Sequence, residues 1–331
     1  MAQEFIPEVT VMINQKLKVL FVFFALFALP ASLFAGSSSG TTYPGSIIVG
    51  GLKRTYLLHV PPARDKTKPK PLLIALHGGG GQGKHMRRLT RGGFDRLSDQ
   101  DGFVVAYPDG VEKHWNDGRG ETAYRAHRDN VDDVGFISAL IDRMVRELNV
   151  DPRRVYVTGM SNGAMMSYRL ACDLSEKIAA IAPVAGAIPE NLYPSCSPSR
   201  PVHVLAINNV NDPLMPFAGG NVTGPWGRKK LGEVLSTAET VAFWARHNNC
   251  SLPPAVIYEP DRDPQDGTRI RKEVYPEGEN DVTVILYAVE GGGHTWPGGY
   301  QYFNERIIGK TSRDMDASEV IWGFFKKHKA P

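Results

Sequence analysis

The sequence contains little cysteine and little net charge. Its three cysteines among 331 residues do not have the spacing of a metal site. The formal net charge is only +3, whereas binding of nucleic acid phosphates requires a concentrated basic face. The densest basic stretch, residues 66–70, is interrupted by Pro69 and is interpreted as a solvated loop. These features favour neither a metal centre nor a nucleic acid partner.

The sequence also has no apolar run as long as the ~20 residues that a membrane span needs. Its longest candidate, residues 19–29, follows Lys16 and Lys18 and precedes Pro30 and a stretch of small residues. This order is typical of a secretory signal peptide, although a membrane anchor is the alternative. We expect residues 1–35 to be removed, with Met12 as a possible true start. The mature protein is then secreted, extracellular or periplasmic, without stable membrane association.

The rest of the chain has the composition of a soluble globular protein, with 42% hydrophobic and 22% charged residues. After a Gly/Ser-rich linker at residues 36–45, helical patterns alternate with apolar runs that resemble buried strands. The alternation predicts an α/β fold with a mostly parallel central sheet and helices on both faces. We expect a single domain over residues 36–331. The predicted strands are residues 56–60, 72–76, 103–107, 155–159, 178–184, 202–207 and 282–289.

Three helices have recognisable starts. Asp132 or Asp133 is available to cap the helix whose apolar stripe begins at Ile137. The segments 236–239 (STAE) and 316–319 (DASE) place a capping residue three positions before a glutamate.

A serine lies between a predicted strand and a predicted helix, in the sequence GMSNG at residues 159–163. A sharp turn at this place projects the hydroxyl of Ser161 away from the sheet, and the flanking glycines permit the turn. The pentapeptide alone is weak, and a structural serine in a glycine turn is the alternative. Its position between a strand and a helix favours a nucleophile.

A second glycine-rich segment, residues 77–81 (HGGGG), ends the strand at 72–76. Its backbone N–H groups can surround a developing oxyanion, with one donor from Gly79 and the other from Asn162. A phosphate-binding loop is the alternative, but Lys84 is followed by His85 rather than by Ser or Thr. His77 itself is interpreted as a structural residue.

An acid and a base follow the serine along the chain. Asp212 comes just after the strand at 202–207, and His294 lies in the glycine-rich segment 291–298 (GGGHTWPG). Ser161, Asp212 and His294 therefore occur in the order nucleophile, acid, base that α/β-hydrolases have. A simple Asp-Pro turn is the alternative for Asp212.

These segments together resemble the polyhydroxybutyrate (PHB) depolymerase-type esterases, which overlap the family-one carbohydrate esterases, including feruloyl and acetylxylan esterases. The resemblance covers nearly the whole mature chain and extends to residues 115–116 and 132–136. It implies an α/β-hydrolase fold, a Ser161–Asp212–His294 triad, secretion and no cofactor or metal. The expected partner is a small ester or an esterified polysaccharide, and the sequence does not fix the oligomeric state.

The chain departs from this family at two places. The family often has His-Gly-Thr-x-Asp before the acid, whereas residues 208–211 here are NNVN, so the acid is kept but the loop that supports it is altered. Many relatives also have a cysteine in the hairpin at residues 275–281, able to pair with one at the position of Cys250, and here that turn has none. The resemblance therefore implies a disulfide between Cys172 and Cys196, with Cys250 free.

Two tryptophans near the predicted site bear on the substrate. Trp296 lies two residues after His294, and Trp115 lies on a loop after a strand, so either can stack on an aromatic acyl group or a sugar. Ordinary core packing is the alternative for both. We rank a feruloyl esterase first, an acetylxylan esterase second and a PHB depolymerase third. A secreted serine peptidase and a non-catalytic binding protein are the candidates from other classes.

Overall fold

A ten-stranded mixed sheet organises the part of the chain that the structure describes. This computed structural model describes residues 39–62, 67–227, 229–276, 278 and 281–330. The predicted signal peptide lies outside these residues. The strands of the described part are β1 Thr41–Val49, β2 Leu52–Val60, β3 Lys70–Leu76, β4 Val104–Pro108, β5 Val150–Met160, β6 Ala180–Val184, β7 His203–Asn209, β8 Gly220–Thr223, β9 Lys230–Val234, β10 Ala255–Tyr258, β11 Arg269–Tyr275 and β12 Val284–Glu290.

The centre of the sheet is parallel and both of its ends are antiparallel. The strand order is β1-β2-β4-β3-β5-β6-β7-β12-β11-β10, in which the strands from β4 to β12 run parallel. The β1-β2 pair and the β11-β10 pair close the two ends. Strands β8 and β9 form a separate hairpin. The predicted α/β fold with a mostly parallel sheet is confirmed.

Helices cover both faces of the sheet because the buried strands are apolar on both faces. Along β3, Leu72 and Ile74 belong to the core under α4, α5 and α6, while Leu73 and Ala75 belong to the core under α1, α2 and α8. The helices of the described part are α1 Gly83–Leu89, α2 Gly93–Asp101, α3 Arg125–Arg128, α4 Asp133–Leu148, α5 Asn162–Asp173, α6 Thr237–His247, α7 Glu305–Ile308 and α8 Ala317–Phe325.

The predicted helix starts are confirmed. Asp132 caps α4 by accepting a 2.7 Å hydrogen bond from the backbone N–H of Gly135. Ser236 and Glu239 form the reciprocal capping box of α6. Asp316 caps α8.

None of the helices in the described ranges has both the length and the apolar character of a membrane span.

The prediction of a linker over residues 36–45 is wrong where it overlaps β1. Strand β1 pairs along its whole length with β2, from Thr41 opposite Val60 to Val49 opposite Leu52. The two strands are joined by Gly50 and Gly51, both with positive φ (54° and 77°), as a tight two-residue hairpin requires. The apolar residues on either side of this Gly-Gly pair were the signal for a hairpin.

The cysteine prediction is confirmed. Cys172, near the end of α5, forms a disulfide with Cys196, with 4.9 Å between their Cα atoms. Cys250 is free and buried. It lies against the turn where the resemblance implies a cysteine in relatives, since a Cβ at Gly278 would lie 3.0 Å from its Sγ.

Candidate active site

The turn between β5 and α5 holds Ser161 in a strained conformation. Its φ and ψ are 58° and −117°, a region that residues with a Cβ rarely adopt. A Cβ on Gly159 would lie 2.5 Å from the carbonyl oxygen of Gly163, and a Cβ on Gly163 would lie 2.5 Å from that of Leu76. Only glycine fits at both positions, so the GMSNG sequence is what permits this sharp turn at the end of the strand.

Asp212 and His294 form a buried hydrogen-bonded pair. His294 Nδ1 lies 2.7 Å from Asp212 Oδ2. The other carboxylate oxygen, Oδ1, accepts backbone hydrogen bonds from Leu214 at 2.8 Å and Met215 at 2.9 Å. This arrangement fixes the carboxylate and the imidazole ring. Because Nδ1 is engaged, Nε2 is the nitrogen that remains for proton transfer.

The asparagines that replace the family's usual residues hold the loops of the acid and the base together. Asn211 Oδ1 accepts a 2.8 Å hydrogen bond from the backbone N–H of Gly291. Asn209 Nδ2 donates to the carbonyl oxygen of Thr295 at 3.3 Å. The segment 208–211 therefore retains a supporting role, through contacts with the loop that carries His294.

Ser161 and His294 line the same two cavities. The first, which we call the α1 cavity, measures about 380 Å³ and is lined by His77, Gly78, Gly79, Gly80, Gly81, His85, Met86, Arg88, Leu89, Met160, Ser161, His294, Tyr300 and Tyr302. Among the described residues, Ser161 makes no direct side-chain hydrogen bond to His294. Such bonds are often long in unliganded active sites and tighten when a substrate binds.

The second, which we call the hairpin cavity, measures about 340 Å³. Its walls include apolar residues of the β8-β9 hairpin and the rings of His114 and Tyr124, which stack 3.6 Å apart between centroids. Gly79, Ser161, Asn162, His294 and Tyr302 also line it, so the serine lies between the two cavities.

Two backbone N–H groups of the glycine loop are engaged within the protein. Gly80 N–H donates to the carbonyl of Lys113 at 2.9 Å, and Gly81 N–H donates to that of Gly78 at 3.0 Å. Within the described ranges, the N–H groups of Gly79 and Asn162 have no backbone acceptor, and both residues line the hairpin cavity with Ser161. The two predicted oxyanion donors are thus available at the serine.

The side chain of Asn162 is anchored away from the cavity. Its Oδ1 accepts from the backbone N–H of Trp115 at 2.8 Å, and its Nδ2 donates to Asp117 Oδ2 at 2.6 Å. Asp117 is completely buried and forms an ion pair with Arg119, whose Nε lies 2.9 Å from Oδ2. Sequence reasoning missed Asp117, although it directly follows the Trp-Asn pair that carries part of the resemblance.

His77 supports the glycine loop, as its structural interpretation requires. Its Nε2 accepts from the backbone N–H of Gly110 at 2.9 Å, and its Nδ1 lies 2.8 Å from the carbonyl oxygen of Gly78. Burial lowers the pKa of His77 from 6.5 to about 4. The ring is therefore neutral near pH 7, with the proton on Nδ1.

The prediction that Trp115 and Trp296 stack on the substrate is wrong. Both side chains are completely buried, and neither lines either cavity. Trp115 Nε1 donates to the carbonyl of His77 at 2.9 Å, and Trp296 Nε1 donates to Ser318 Oγ at 3.3 Å. Both tryptophans instead belong to the core, and the tyrosines and the phenylalanine that line the cavities are Tyr124, Tyr300, Tyr302 and Phe303.

The sheet order and the strained serine turn at the end of β5 define an α/β-hydrolase. Residues 54–203 match the sequence model of the family described as "Esterase PHB depolymerase". NocK from Nocardia uniformis subsp. tsuyamanensis, which is named as an esterase, is 32% identical over 293 residues, 87% of this chain and 83% of NocK. The chain belongs to this esterase family, whose members are carboxylic ester hydrolases.

More distant proteins carry more specific names. Feruloyl esterase B from Piromyces equi is 27% identical over 247 residues, covering 73% of this chain but only 42% of that enzyme. The acetyl xylan esterase structure from Aspergillus awamori matches with a TM-score of 0.54 and 16% identity, covering 76% of this chain and 94% of that chain. This chain thus spans less than half of the feruloyl esterase, and the structural likeness shows the fold alone.

Proposed function

We propose that this esterase is a serine enzyme in which Ser161 is the nucleophile, His294 the general base and Asp212 the acid that orients it. The observation that carries the proposal is the 2.7 Å hydrogen bond between Asp212 and His294. The imidazole ring of His294 lines the same two cavities as the strained Ser161. The three residues follow three different strands, β5, β7 and β12.

The proposed reaction has two halves. His294 Nε2 accepts the proton of the Ser161 hydroxyl while Oγ attacks the ester carbonyl carbon, and the protonated ring then donates that proton to the leaving alcohol. In the second half, His294 accepts a proton from water, the hydroxide attacks the acyl-enzyme, and Ser161 leaves with the proton. Asp212 stays ionised and stabilises the imidazolium in both halves.

The charge that develops on the carbonyl oxygen needs donors that are already in position. We assign this role to the backbone N–H groups of Gly79 and Asn162, each contributing about 3 kcal/mol of transition-state stabilisation. The anchored side chain of Asn162 supports the assignment because it limits movement of the first turn of α5.

We further propose that the substrate is a bulky ester, with a feruloyl esterase ranked before an acetylxylan esterase and a PHB depolymerase. Ligand pockets of about 300–1,000 Å³ are those of drug-sized molecules, so cavities of 340 and 380 Å³ exceed what an acetyl group needs. The apolar walls and the His114–Tyr124 stack of the hairpin cavity suit an aromatic acyl group. The alcohol part then occupies the α1 cavity.

We also propose that the enzyme is secreted. The segment 1–35 has the order of a signal peptide, and the Cys172–Cys196 disulfide fits an oxidising compartment.

The catalytic proposal is tested with Ser161→Ala, using Ser251→Ala as the control because Ser251 is exposed and lines neither cavity. Ester hydrolysis and covalent labelling by a fluorophosphonate should disappear in Ser161→Ala and persist in the control. Full activity of Ser161→Ala with an unchanged melting temperature would contradict the proposal. The substrate order is tested by comparing kcat/KM for methyl ferulate, acetylated xylan and a hydroxybutyrate oligomer.

A further inference from the structure

The α1 cavity has a positively charged wall. Arg88 lines it, and no aspartate or glutamate is among the described residues that do so. The Arg88 guanidinium lies over the ring of Tyr300, 4.9 Å from its centroid, and its NH2 is 3.5 Å from the Tyr300 hydroxyl. Tyr300 lines the same cavity, so the aromatic ring positions the cation at the wall.

Arg88 differs from Arg87 in whether a carboxylate of the protein balances its charge. The guanidinium of Arg87 is hydrogen-bonded to Asp95, whose other oxygen accepts from Tyr107 at 2.7 Å. In the described part of the chain, Arg88 has no carboxylate partner within ion-pair distance. Both arginines are exposed, but the charge of Arg87 is balanced by Asp95, whereas that of Arg88 is left to solvent or to a ligand.

A histidine on the same wall has several basic neighbours. His85 also lines the α1 cavity, and its pKa is lowered first by burial and then by the positive charges of Lys84, Lys113 and Arg88. Asp109 is the one nearby group that raises this pKa, and its carboxylate is engaged by Thr55 Oγ1 at 2.7 Å and by the N–H of Gly83 at 2.8 Å. The charges that act on His85 are therefore mainly positive, whereas the carboxylate of Asp212 acts on Tyr302, which also lines this cavity.

We propose that the α1 cavity binds a carboxylate in the alcohol part of the substrate, held by Arg88 and the hydroxyl of Tyr300. The planar guanidinium presents paired N–H donors that match the two oxygens of a carboxylate. The substrate is then an ester of an acidic alcohol, such as a uronate-bearing saccharide or a hydroxy acid. This inference rests on the proposed function, because it assigns the alcohol part to the cavity beside Ser161.

The experiment compares two matched pairs of esters on the whole protein. In the alcohol pair, butanoic acid is esterified either with 4-hydroxybutanoate, which is charged, or with 1-butanol, which is neutral. In the acyl pair, monoethyl succinate carries the charge and ethyl butanoate does not. For each pair, the ratio of kcat/KM for the charged ester to that for the neutral ester is measured at low and at high salt.

We expect the charged member to be preferred in the alcohol pair only, and salt to weaken the preference. Arg88→Gln should lower that ratio by about 10-fold, the size of a lost hydrogen bond to a charged group. Arg91→Gln is the matched control, because Arg91 is exposed and lines neither cavity, and it should keep the ratio.

A ratio that Arg88→Gln and Arg91→Gln change equally would overturn the inference, as would a preference found only in the acyl pair. In either case the neutral esters are still hydrolysed, and the proposed function stands. Failure of the wild-type protein to hydrolyse all four esters, together with no fluorophosphonate labelling, would instead remove the proposed function and the inference with it.

Discussion

The two cavities beside Ser161 differ in chemical character. The α1 cavity is bounded by a glycine loop, two tyrosines and Arg88, which has no carboxylate partner among the described residues. The hairpin cavity is bounded by apolar side chains, a stacked His-Tyr pair and Arg119, whose charge is balanced by Asp117. Both include Ser161 and His294. Under the proposed function, one catalytic centre serves two unlike halves of a substrate, and each half is recognised by separate residues. Variants of the shared residues should therefore affect every ester, and variants of one wall only some.

The largest effect is expected from Asp212→Asn, which should lower kcat by about 10⁴-fold for every ester tested. The amide cannot stabilise the imidazolium, and it favours the wrong tautomer of His294. The loss is measured by steady-state kinetics with one small and one bulky ester. A loss confined to one ester class would contradict the idea that both cavities share one acid and base.

His77 lines only the α1 cavity and should make stability sensitive to acid. Its pKa is about 4 in the folded chain and 6.5 when unfolded, so below pH 6.5 the unfolded chain binds more protons. The stabilisation is complete above pH 6.5 and is lost as the pH falls toward 4, by on the order of 3 kcal/mol.

The contribution of His77 to the free energy of unfolding is measured by urea unfolding of wild type and His77→Gln at pH 7 and pH 4. The variant should lose less stability than the wild type between the two pH values. His114→Gln, in the hairpin cavity, is the comparison. Burial also lowers the pKa of His114, but this side chain is only half-buried, and its ring is bonded to a backbone carbonyl rather than to a carboxylate. Equal acid sensitivity in wild type and His77→Gln would show that His77 is not the responsible group.

Asn162→Ala should lower kcat by about 10–100-fold, with a smaller change in KM. It keeps the backbone N–H but removes the anchors to Trp115 and Asp117, so the donor is less well fixed in the transition state. Asn221→Ala is a control, because this asparagine bonds Glu233 in an exposed hydrogen bond and lines neither cavity. An unchanged kcat in Asn162→Ala would remove the positioning role of its side chain.

The smallest effect is expected from Leu231→Trp, which narrows the hairpin cavity alone. We expect kcat/KM for methyl ferulate to fall about 10-fold, in line with steric discrimination in apolar pockets, and that for methyl acetate to change little. An equal loss for both esters would indicate that the acyl group does not enter this cavity.

The parallel strands were predictable because each is a short apolar run bounded by turn residues. Each strand is buried on both faces, so its apolar residues are continuous rather than alternating with polar ones. The helix caps were predictable for a related reason, since they depend on residues three positions apart. Strand β1 was missed because its flanking glycines and serines resemble a linker, and its pairing depends on a turn at Gly50 and Gly51.

The site was harder to predict than the fold wherever contacts between distant parts of the chain decide the position of a side chain. Trp296 follows His294 closely in sequence, yet its ring packs at an edge-to-face angle of 84° against Phe94 of α2 and is withdrawn from the cavity. Asp117 reaches Asn162 across 45 positions of the chain. Neither contact has a local sequence signal, because both depend on how β4, β5 and the loops between them meet in space.

The pairing of Cys172 with Cys196 has a practical consequence at the other cysteine. Cys250 is then the only thiol in the oxidised chain, and burial raises its pKa, so little reactive thiolate forms in the folded protein. A thiol reagent would modify it mainly when the surrounding structure opens. The rate of modification then reports how often α6 and the turn at Gly278 separate, and no cysteine has to be introduced for the measurement.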